Sequence, residues 1–423
     1  MSKIDFMSLK TIDFCDDVRD GTHDSPKHLD SGKLLITSKN IKGDSIDFEN
    51  ASYISEEDYN KINERSLVEI NDVLYSMIGT VGLVYRVDQQ PNYAIKNMGL
   101  FKINDELKSK WLYYYLNSPK AKGKVLSMLS GSTQKFISLS NLRNLEIEFP
   151  QNIDDAKRII KICESIDKKI KLNNEINNNL QELINNIFIS KFVNYYGYTG
   201  EYETTEIGDI PSNWKVDNLG NVISFSNGYG WNSKDMLENN QPDTYKVFKM
   251  GNIKIGGGIN KEKTRSWILK EKCSGLEQFL SKKGDILMCM TDMKSSENPL
   301  LGHTALIDCD DEFVINQRVG IIRCDKDIRW PYIYTMTNLP FFINNIRSKA
   351  HSGVQVNLTT SGICDTKVLI PDKDSLEEFY KNVTPMYEEM FILNNEIEKL
   401  EELRDTLLPK LMNGEIDLDN IEI

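Results

Sequence analysis

The strongest constraint on this chain is a repeat with a period of about half its length, and a repeat on that scale governs every other reading of the fold. LNNEI occurs at 172–176 and again at 393–397, an offset of 221, the difference between 393 and 172. The same offset aligns Gln134 with Gln355 and Pro150 with Pro371, and it pairs SGSTQKFISLSNLRNLEIEFP (130–150) with HSGVQVNLTTSGICDTKVLIP (351–371). Upstream, NDVLYSM (71–77) matches GDILMCM (284–290), and AIKNMG (94–99) matches VINQRVG (314–320) with a small insertion. Several matches in one order, at nearly one offset, predict two copies of one architecture. A chain of 423 residues has room for two to four domains.

Each half has the same layout. LLITSKNI, DVLYSMIG, GLVYRVD and LEIEFP predict strands in the first half, and KVFKMGNI, DILMCMTD, HTALIDC, VGIIRC and KVLIP predict strands in the second. LKSKWLYYYLNSP and WPYIYTMTNLPFFINNIRS predict the intervening helices. A long amphipathic helix closes each half. Its apolar positions step mostly by three or four: Leu172, Ile176, Leu180 and Leu183 in the first, Leu393, Ile397, Leu400 and Leu403 in the second. That spacing predicts a seam in which the two helices pair as an antiparallel coiled coil, with the globular halves at opposite ends. Asn177, Asn178 and Asn179 are expected to face outward in part. The fold class expected is α+β, two mixed α/β domains in tandem with two long helices.

Composition excludes several classes. The chain is 40% hydrophobic and 27% charged, as in ordinary globular proteins. No apolar run reaches the roughly 18 residues of a membrane helix, and the N-terminus shows no apolar core with a cleavage site, so a cytoplasmic protein is expected. Seven scattered cysteines without a CxxC pair, and four histidines, point away from zinc and from a disulfide framework. Net charge is −12, but residues 372–423 carry 15 acids against 5 bases, so most of the acidity lies in one segment. The remainder is near neutral and can still set its bases on one face.

Catalytic constellations do not assemble from the sequence. No NPPY or DPPY tetrapeptide is present, and NPLL (298–301) lacks the second proline and the aromatic ring. NGYGWNS (227–233) has two of the three glycines of a nucleotide fingerprint, and GNIKIGGG (251–258) is not followed by Lys-Ser/Thr. Asp88 with Glu106 and Lys108 has nuclease-like spacing, which abundant charges produce by chance. His23, Asp24 and Ser25 are adjacent, whereas a nucleophilic triad depends on spatial arrangement.

Four stretches resemble the DNA-specificity subunits of type I restriction–modification systems. GDIPSNWKVDNLGNVISFSNGYG (208–230) resembles the opening of a target-recognition domain, and the segments ending in EFP and LIP resemble its closing strand. The LNNEI helix resembles the family's spacer helix, and LRDTLLPKLMNGEIDL (403–418) its C-terminal helix end. The first half lacks an IPxxW opening, which implies a first strand that is shorter or differently built. The resemblance implies target-recognition domains at 1–150 and 197–371, a central spacer helix at 151–196 and a C-terminal spacer helix at 372–423. It implies that each domain reads one half of a bipartite, asymmetric target on double-stranded DNA. It further implies that the spacers set the gap and dock two modification subunits, which carry S-adenosylmethionine, with restriction subunits joining them. On this reading the chain is not an enzyme and binds no cofactor or metal itself. Two other classes stand beside it: a DNA-modifying enzyme in its own right (methyltransferase or nuclease), and a coiled-coil scaffold that does not read DNA.

Loops that combine bases, amides, hydroxyls and aromatics are the candidate DNA contacts, because these groups pair with base edges or phosphates. In the first half they are Thr22, His23, Ser25, Lys27, Lys39, Asn40, Lys42, Ser132, Gln134 and Lys135. In the second they are Asn227, Tyr229, Trp231, Lys249, Asn252, Lys254, Thr291, Lys294, His351 and Gln355. Trp231 is equally expected in a core, and Gln134 and Gln355, which recur at corresponding positions, suit a turn-holding role as well as a reading one.

Overall fold

The structure is a computed structural model that describes residues 4–131, 134–293, 299–324, 327–352 and 355–416. The chain divides into two compact units, Met1–Leu172 with Glu396–Ile423, and Asn173–Asn395. Both long helices, Ile153–Phe192 and Lys373–Met412, therefore contribute to each unit.

In the first unit a four-stranded antiparallel sheet runs in the order Asp17–Asp20, Met98–Lys102, Val73–Ser76, Val84–Arg86. Beside it Lys33–Ile36 pairs antiparallel with Ser52–Ile54 and parallel with Tyr93–Ile95. Opening strand Phe6–Lys10 pairs with closing strand Glu146–Pro150. The second unit repeats each arrangement. Its four-stranded order is Ile223–Asn227, Val319–Cys324, Ile286–Cys289, Thr304–Leu306. Thr244–Phe248 pairs antiparallel with Trp267–Leu269 and parallel with Phe313–Ile315, and Lys215–Asn218 pairs with Lys367–Ile370. The opening strand of the first unit spans five residues against four in the second, so it is not the shorter one. What the first unit lacks among its described residues is the hairpin Tyr202–Thr205 with Gly208–Pro211 that precedes the opening strand of the second.

Local chemistry explains why matching sequence gives matching structure. The NDVL and GDIL segments each place an aspartate at the strand mouth. Asp72, 1% exposed, takes Lys102 Nζ at 2.6 Å and the Glu69 N–H at 2.7 Å, and burial pushes its carboxyl up. Asp285, 3% exposed, takes Arg323 Nε at 2.9 Å and the Lys282 N–H at 2.9 Å. Short helices Leu139–Arg143 and Thr360–Cys364 each start on a hydroxyl cap: Ser138 accepts from the Asn141 N–H at 3.1 Å, and Thr359 from the Gly362 N–H at 3.0 Å.

Two expected elements are shorter than their apolar patterns. LLITSKNI leaves the strand after Ile36 and KVFKMGNI after Phe248, each turning through one 3-10 turn, Ser38–Asn40 and Met250–Asn252. WPYIYTMTNLPFFINNIRS forms two helices, Trp330–Thr337 and Pro340–Ser348, because Pro340 cannot continue the first.

The first unit's core gathers Phe101, Trp111, Tyr115 and Phe149 with Ile159 and Cys163 of the first long helix and Leu408, Leu411 and Met412 of the second. That of the second unit gathers Trp214, Tyr332, Tyr387, Phe188, Phe192 and Phe379. Within each unit the long helices run antiparallel. In the first, Lys169 meets Glu396 at 3.3 Å and Asp167 meets Arg404 at 3.4 Å. In the second, Asn177 meets Asn394 at 3.0 Å, and Lys191 pairs with Glu378.

The buried line of the first long helix corrects the expected seam. It runs Ala156, Ile159, Cys163, Ile166, Ile170, Asn173, Asn177, then Ile184, Phe188 and Phe192. Leu180 is half-buried between them, as is Ile176 just off the line. The steps alternate three and four through two asparagines, so the neighbouring leucines fall off the line. Leu172 is 49% exposed and Leu183 46%. On the second helix Leu393 and Ile397 are buried and Leu400 packs against Ile397, but Leu403 is 45% exposed. Asn177, expected to face outward, is 8% exposed and donates its Nδ2 to Asn394 Oδ1, whereas Asn178 and Asn179 are exposed. No helix among the described residues is long and apolar enough to cross a membrane.

Candidate nucleic-acid interface

One crossing of backbone recurs in both units and gathers most of the polar loops at one end of each sheet. In the first, strand Asp17–Asp20 runs into Gly21, where a Cβ would lie 2.3 Å from the Ile95 carbonyl oxygen, so only glycine fits. Thr22 N–H then donates to Ile95 O at 3.1 Å, and Asn97 N–H, at φ 55°, donates back to Thr22 O at 3.0 Å. Lys96 N–H donates to Ile36 O at 2.9 Å, which brings the 3-10 turn Ser38–Asn40 alongside. Ser38 Oγ donates to Ile78 O at 3.3 Å, and Gly79 lies next to Gln134 and Ser38. Thr22, His23, Ser25, Lys39 and Gln134 thus converge, although up to 112 residues separate Thr22 from Gln134 in the chain.

The second unit builds the same end with other side chains. At Gly228 a Cβ would lie 2.4 Å from Asn316 O. Tyr229 N–H donates to Ile315 O at 2.9 Å, and Gln317 N–H to Tyr229 O at 3.0 Å. Asn316 N–H donates to Phe248 O at 3.0 Å, so the turn Met250–Asn252 occupies the place of Ser38–Asn40. Met290 N–H donates to Arg318 O at 3.1 Å, and the strand that follows, Thr291–Met293, pairs with Gln355–Asn357. Asn227, Tyr229 and Gln355 converge there.

Several candidates are exposed: Lys27, Lys39, Lys42, Gln134, Lys135, Asn227, Lys254 and Gln355. Others are partly engaged. His23 contacts Asp20 Oδ2 through Nε2 and Asn97 Oδ1 through Nδ1, each at 2.9 Å, and buried Asp20 also pairs with Arg65. Ser25 accepts from Lys96 Nζ at 2.6 Å. Tyr229, 38% exposed, has its ring 4.8 Å from that of Trp231 and 5.3 Å from that of Phe279. Lys249 is half-buried and donates to Ser266 Oγ at 2.7 Å.

Four candidates are buried: Asn40, Asn252 and Thr291 are corrected here, and Trp231 takes the core place that was equally expected of it. Asn40, 5% exposed, accepts the Thr37 N–H at 3.0 Å and donates to Asp47 O at 3.3 Å. Asn252, 1% exposed, accepts the Lys249 N–H at 2.8 Å and donates to Asn260 O at 3.0 Å. They are the same staple in the same turn, held inside because each satisfies backbone groups that the turn would strand. Trp231 is in a core with Nε1–H on Ile315 O at 3.2 Å, and Thr291 donates to Asn357 Oδ1 at 2.8 Å. Ser132 and Lys294 lie outside the described residues, and of His351 only the backbone is described, in the strand His351–Ser352.

Two of the groups considered for catalysis are engaged elsewhere. Glu106 pairs with Lys110 at 2.8 Å, and Lys108 Nζ lies 5.4 Å from the Phe14 ring centroid. Among the described residues Asp308, Cys309 and Glu312 are close enough to share a metal ion. Glu312, however, already pairs with Lys246 at 2.7 Å and Lys261 at 3.3 Å, so two cations occupy that carboxylate.

Residues missed from sequence are Lys96, Asn97, Gln317 and Arg318, on the turn facing the glycine crossing. The signal was the small insertion between AIKNMG and VINQRVG, which falls on this turn.

The Type I restriction modification DNA specificity domain matches residues 24–182, and relatives extend the match along the chain. The MjaIX specificity subunit of Methanocaldococcus jannaschii is 22% identical over 387 residues, 87% of this chain and 84% of that protein. The HindI specificity subunit of Haemophilus influenzae is 21% identical over 409 residues, 83% of this chain and 88% of that protein. Over these stretches the chain is similar to type I restriction–modification specificity subunits. A crystal structure of the S subunit of such a system from M. genitalium shares the fold over 97% of each chain, with TM-score 0.57 at 16% identity.

Proposed function

We propose that this chain is the DNA-reading subunit of a type I restriction–modification complex and catalyses no reaction itself. Each unit serves as a target-recognition domain, with reading segments at 1–150 and 197–371, and the segments 151–196 and 372–423 serve as spacers that form an antiparallel coiled coil. The observation that carries this reading is the crossing at Gly21 and Gly228: one backbone frame presents Thr22, His23 and Lys96 in one unit, and Tyr229, Gln317 and Arg318 in the other. Equivalent frames with different headgroups suit the reading of two different half-sites, hence an asymmetric bipartite target on double-stranded DNA.

The partners in this reading are two modification subunits, which hold S-adenosylmethionine and methylate the DNA, together with restriction subunits, in the cytoplasm. The acidic 372–423 segment, net −10, suits protein docking over phosphate contact. Replacing 197–371 with the equivalent segment of a relative tests the proposal. Methylome sequencing is expected to show one half-site changed and the other kept. Change in both half-sites, or methylation by the purified chain alone, would refute it.

A further inference from the structure

The turn 316–318 stands out as a rigid mount with free side chains. Its backbone is anchored on both sides. Gln317 N–H donates to Tyr229 O at 3.0 Å, Arg318 O accepts the Met290 N–H at 3.1 Å, and Arg318 N–H donates to Asn316 Oδ1 at 3.3 Å. Neighbouring strands Phe313–Ile315 and Val319–Cys324 are buried in the sheets, which leaves the turn little freedom. Gln317 and Arg318 are exposed, and among the described residues the Arg318 guanidinium has no ion-pair or hydrogen-bond partner. Three other arginines of the unit are occupied, Arg323 on Asp285, Arg329 on Glu377 and Arg347 on the carbonyls of Leu301 and Pro299, while Arg265 is exposed but lies outside this turn.

The corresponding turn of the first unit is spent internally. Lys96 donates to Ser25, and Asn97 is tied to His23. The turn recurs across the repeat but is one residue longer in the second unit, and that unit alone carries an arginine there.

We propose that Arg318 is a specificity-determining residue that donates its guanidinium fork to the O6 and N7 acceptors of a guanine in the half-site read by the second unit. This rests on the DNA-reading role proposed above. A planar fork held on a fixed backbone matches the paired acceptors that guanine shows in the major groove. Among the described residues, the polar groups carried on this crossing, Asn227, Gln317 and Tyr229, are neutral donors and acceptors, which suits base edges.

The test uses the complex of the full chain with its modification partner. Binding is measured to a set of duplexes that carry the target with each base pair of this half-site substituted in turn, for the parent, Arg318→Ala and Arg318→Lys. For the parent, substituting one guanine is expected to weaken binding about tenfold to a hundredfold. For Arg318→Ala the same substitution should cost almost nothing, while the profile at every other position, and over the other half-site, stays as in the parent. Arg318→Lys should retain a reduced preference for that guanine. An unchanged substitution profile in Arg318→Ala overturns the proposal. So does weakening by one factor on all duplexes with a shallower salt dependence, the sign of a phosphate contact. If the parent complex itself shows no sequence preference, the DNA-reading role fails, a result distinct from the failure of Arg318 alone.

Discussion

Ile184 and Leu183 are adjacent on the first long helix, yet the structure gives them opposite surroundings. Ile184 is 0% exposed and belongs to the second unit's core with Phe188 and Tyr387, while Leu183 is 46% exposed. Truncating either to alanine removes three carbons. For Ile184 the transfer loss is about 2.4 kcal/mol at ~0.8 kcal/mol per carbon. The cavity left among fixed aromatic rings raises the loss to roughly 3–4 kcal/mol. For Leu183 about half of that transfer is already absent and no closed cavity forms, so about 1 kcal/mol or less is expected. Urea unfolding is the assay, followed by tryptophan fluorescence, because four of the five tryptophans (214, 231, 267 and 330) lie in this unit. Ile184→Ala should lower the midpoint strongly and Leu183→Ala slightly. Equal losses, or a larger loss at Leu183, would show that the helix is rotated from the orientation described and that its seam follows the leucines.

Asn40→Ala and Asn252→Ala should each lower thermal stability, by roughly 1–3 kcal/mol, since buried backbone groups of the turn lose their partner; unchanged melting with weaker DNA binding would restore them as readers. His303 is buried and accepts the Gly256 N–H on Nδ1 at 3.2 Å, which requires that nitrogen to be unprotonated. Burial pushes its pKa down from 6.5 to about 4, so only the unfolded chain takes up this proton between those values. Stability should fall as pH drops from 6.5 toward 4, and His303→Gln should flatten that part of the pH–stability curve; an identical curve would contradict the assignment. Lys39→Ala and Lys135→Ala should weaken DNA binding on all sequences alike and reduce the salt slope by about 1 each, measured as Kd against salt concentration. A change in sequence preference would make either lysine a base reader.

Much of the architecture is legible in the chain because repetition is independent of packing detail. The offset of 221 pairs Ser138 with Thr359 and Lys102 with Arg323, and in the structure each pair does the same job, a helix cap in one case and a grip on a buried aspartate in the other. The candidate interface was legible only in outline. Loops rich in amides and bases were found, but a loop asparagine that reads a base and one that staples its own turn have the same sequence signature. Asn40 and Asn252 fell on the wrong side of that ambiguity.

Amphipathic spacing by itself determined that two long helices end the two halves, since a period near 3.6 with apolar residues on one side has no other stable use in water. Which residues form the buried line was decided by tertiary structure. A stripe of leucines and isoleucines is wide enough to admit several rotations, and the line chosen is the one that keeps steps of three and four through Ile170, Asn173, Asn177 and Ile184. It buries Asn177 against Asn394 and leaves Leu172 and Leu183 half exposed. Hydrophobicity alone would have ranked those residues the other way. The facing helix supplies the amide that makes burial of an asparagine tolerable, and that partner is 217 residues away in the chain. In the same way, Gly21 and Gly228 look like ordinary turn glycines until the end of a strand in the neighbouring sheet, at Ile95 and Asn316, brings a carbonyl oxygen to within 2.3 and 2.4 Å of where a side chain would begin.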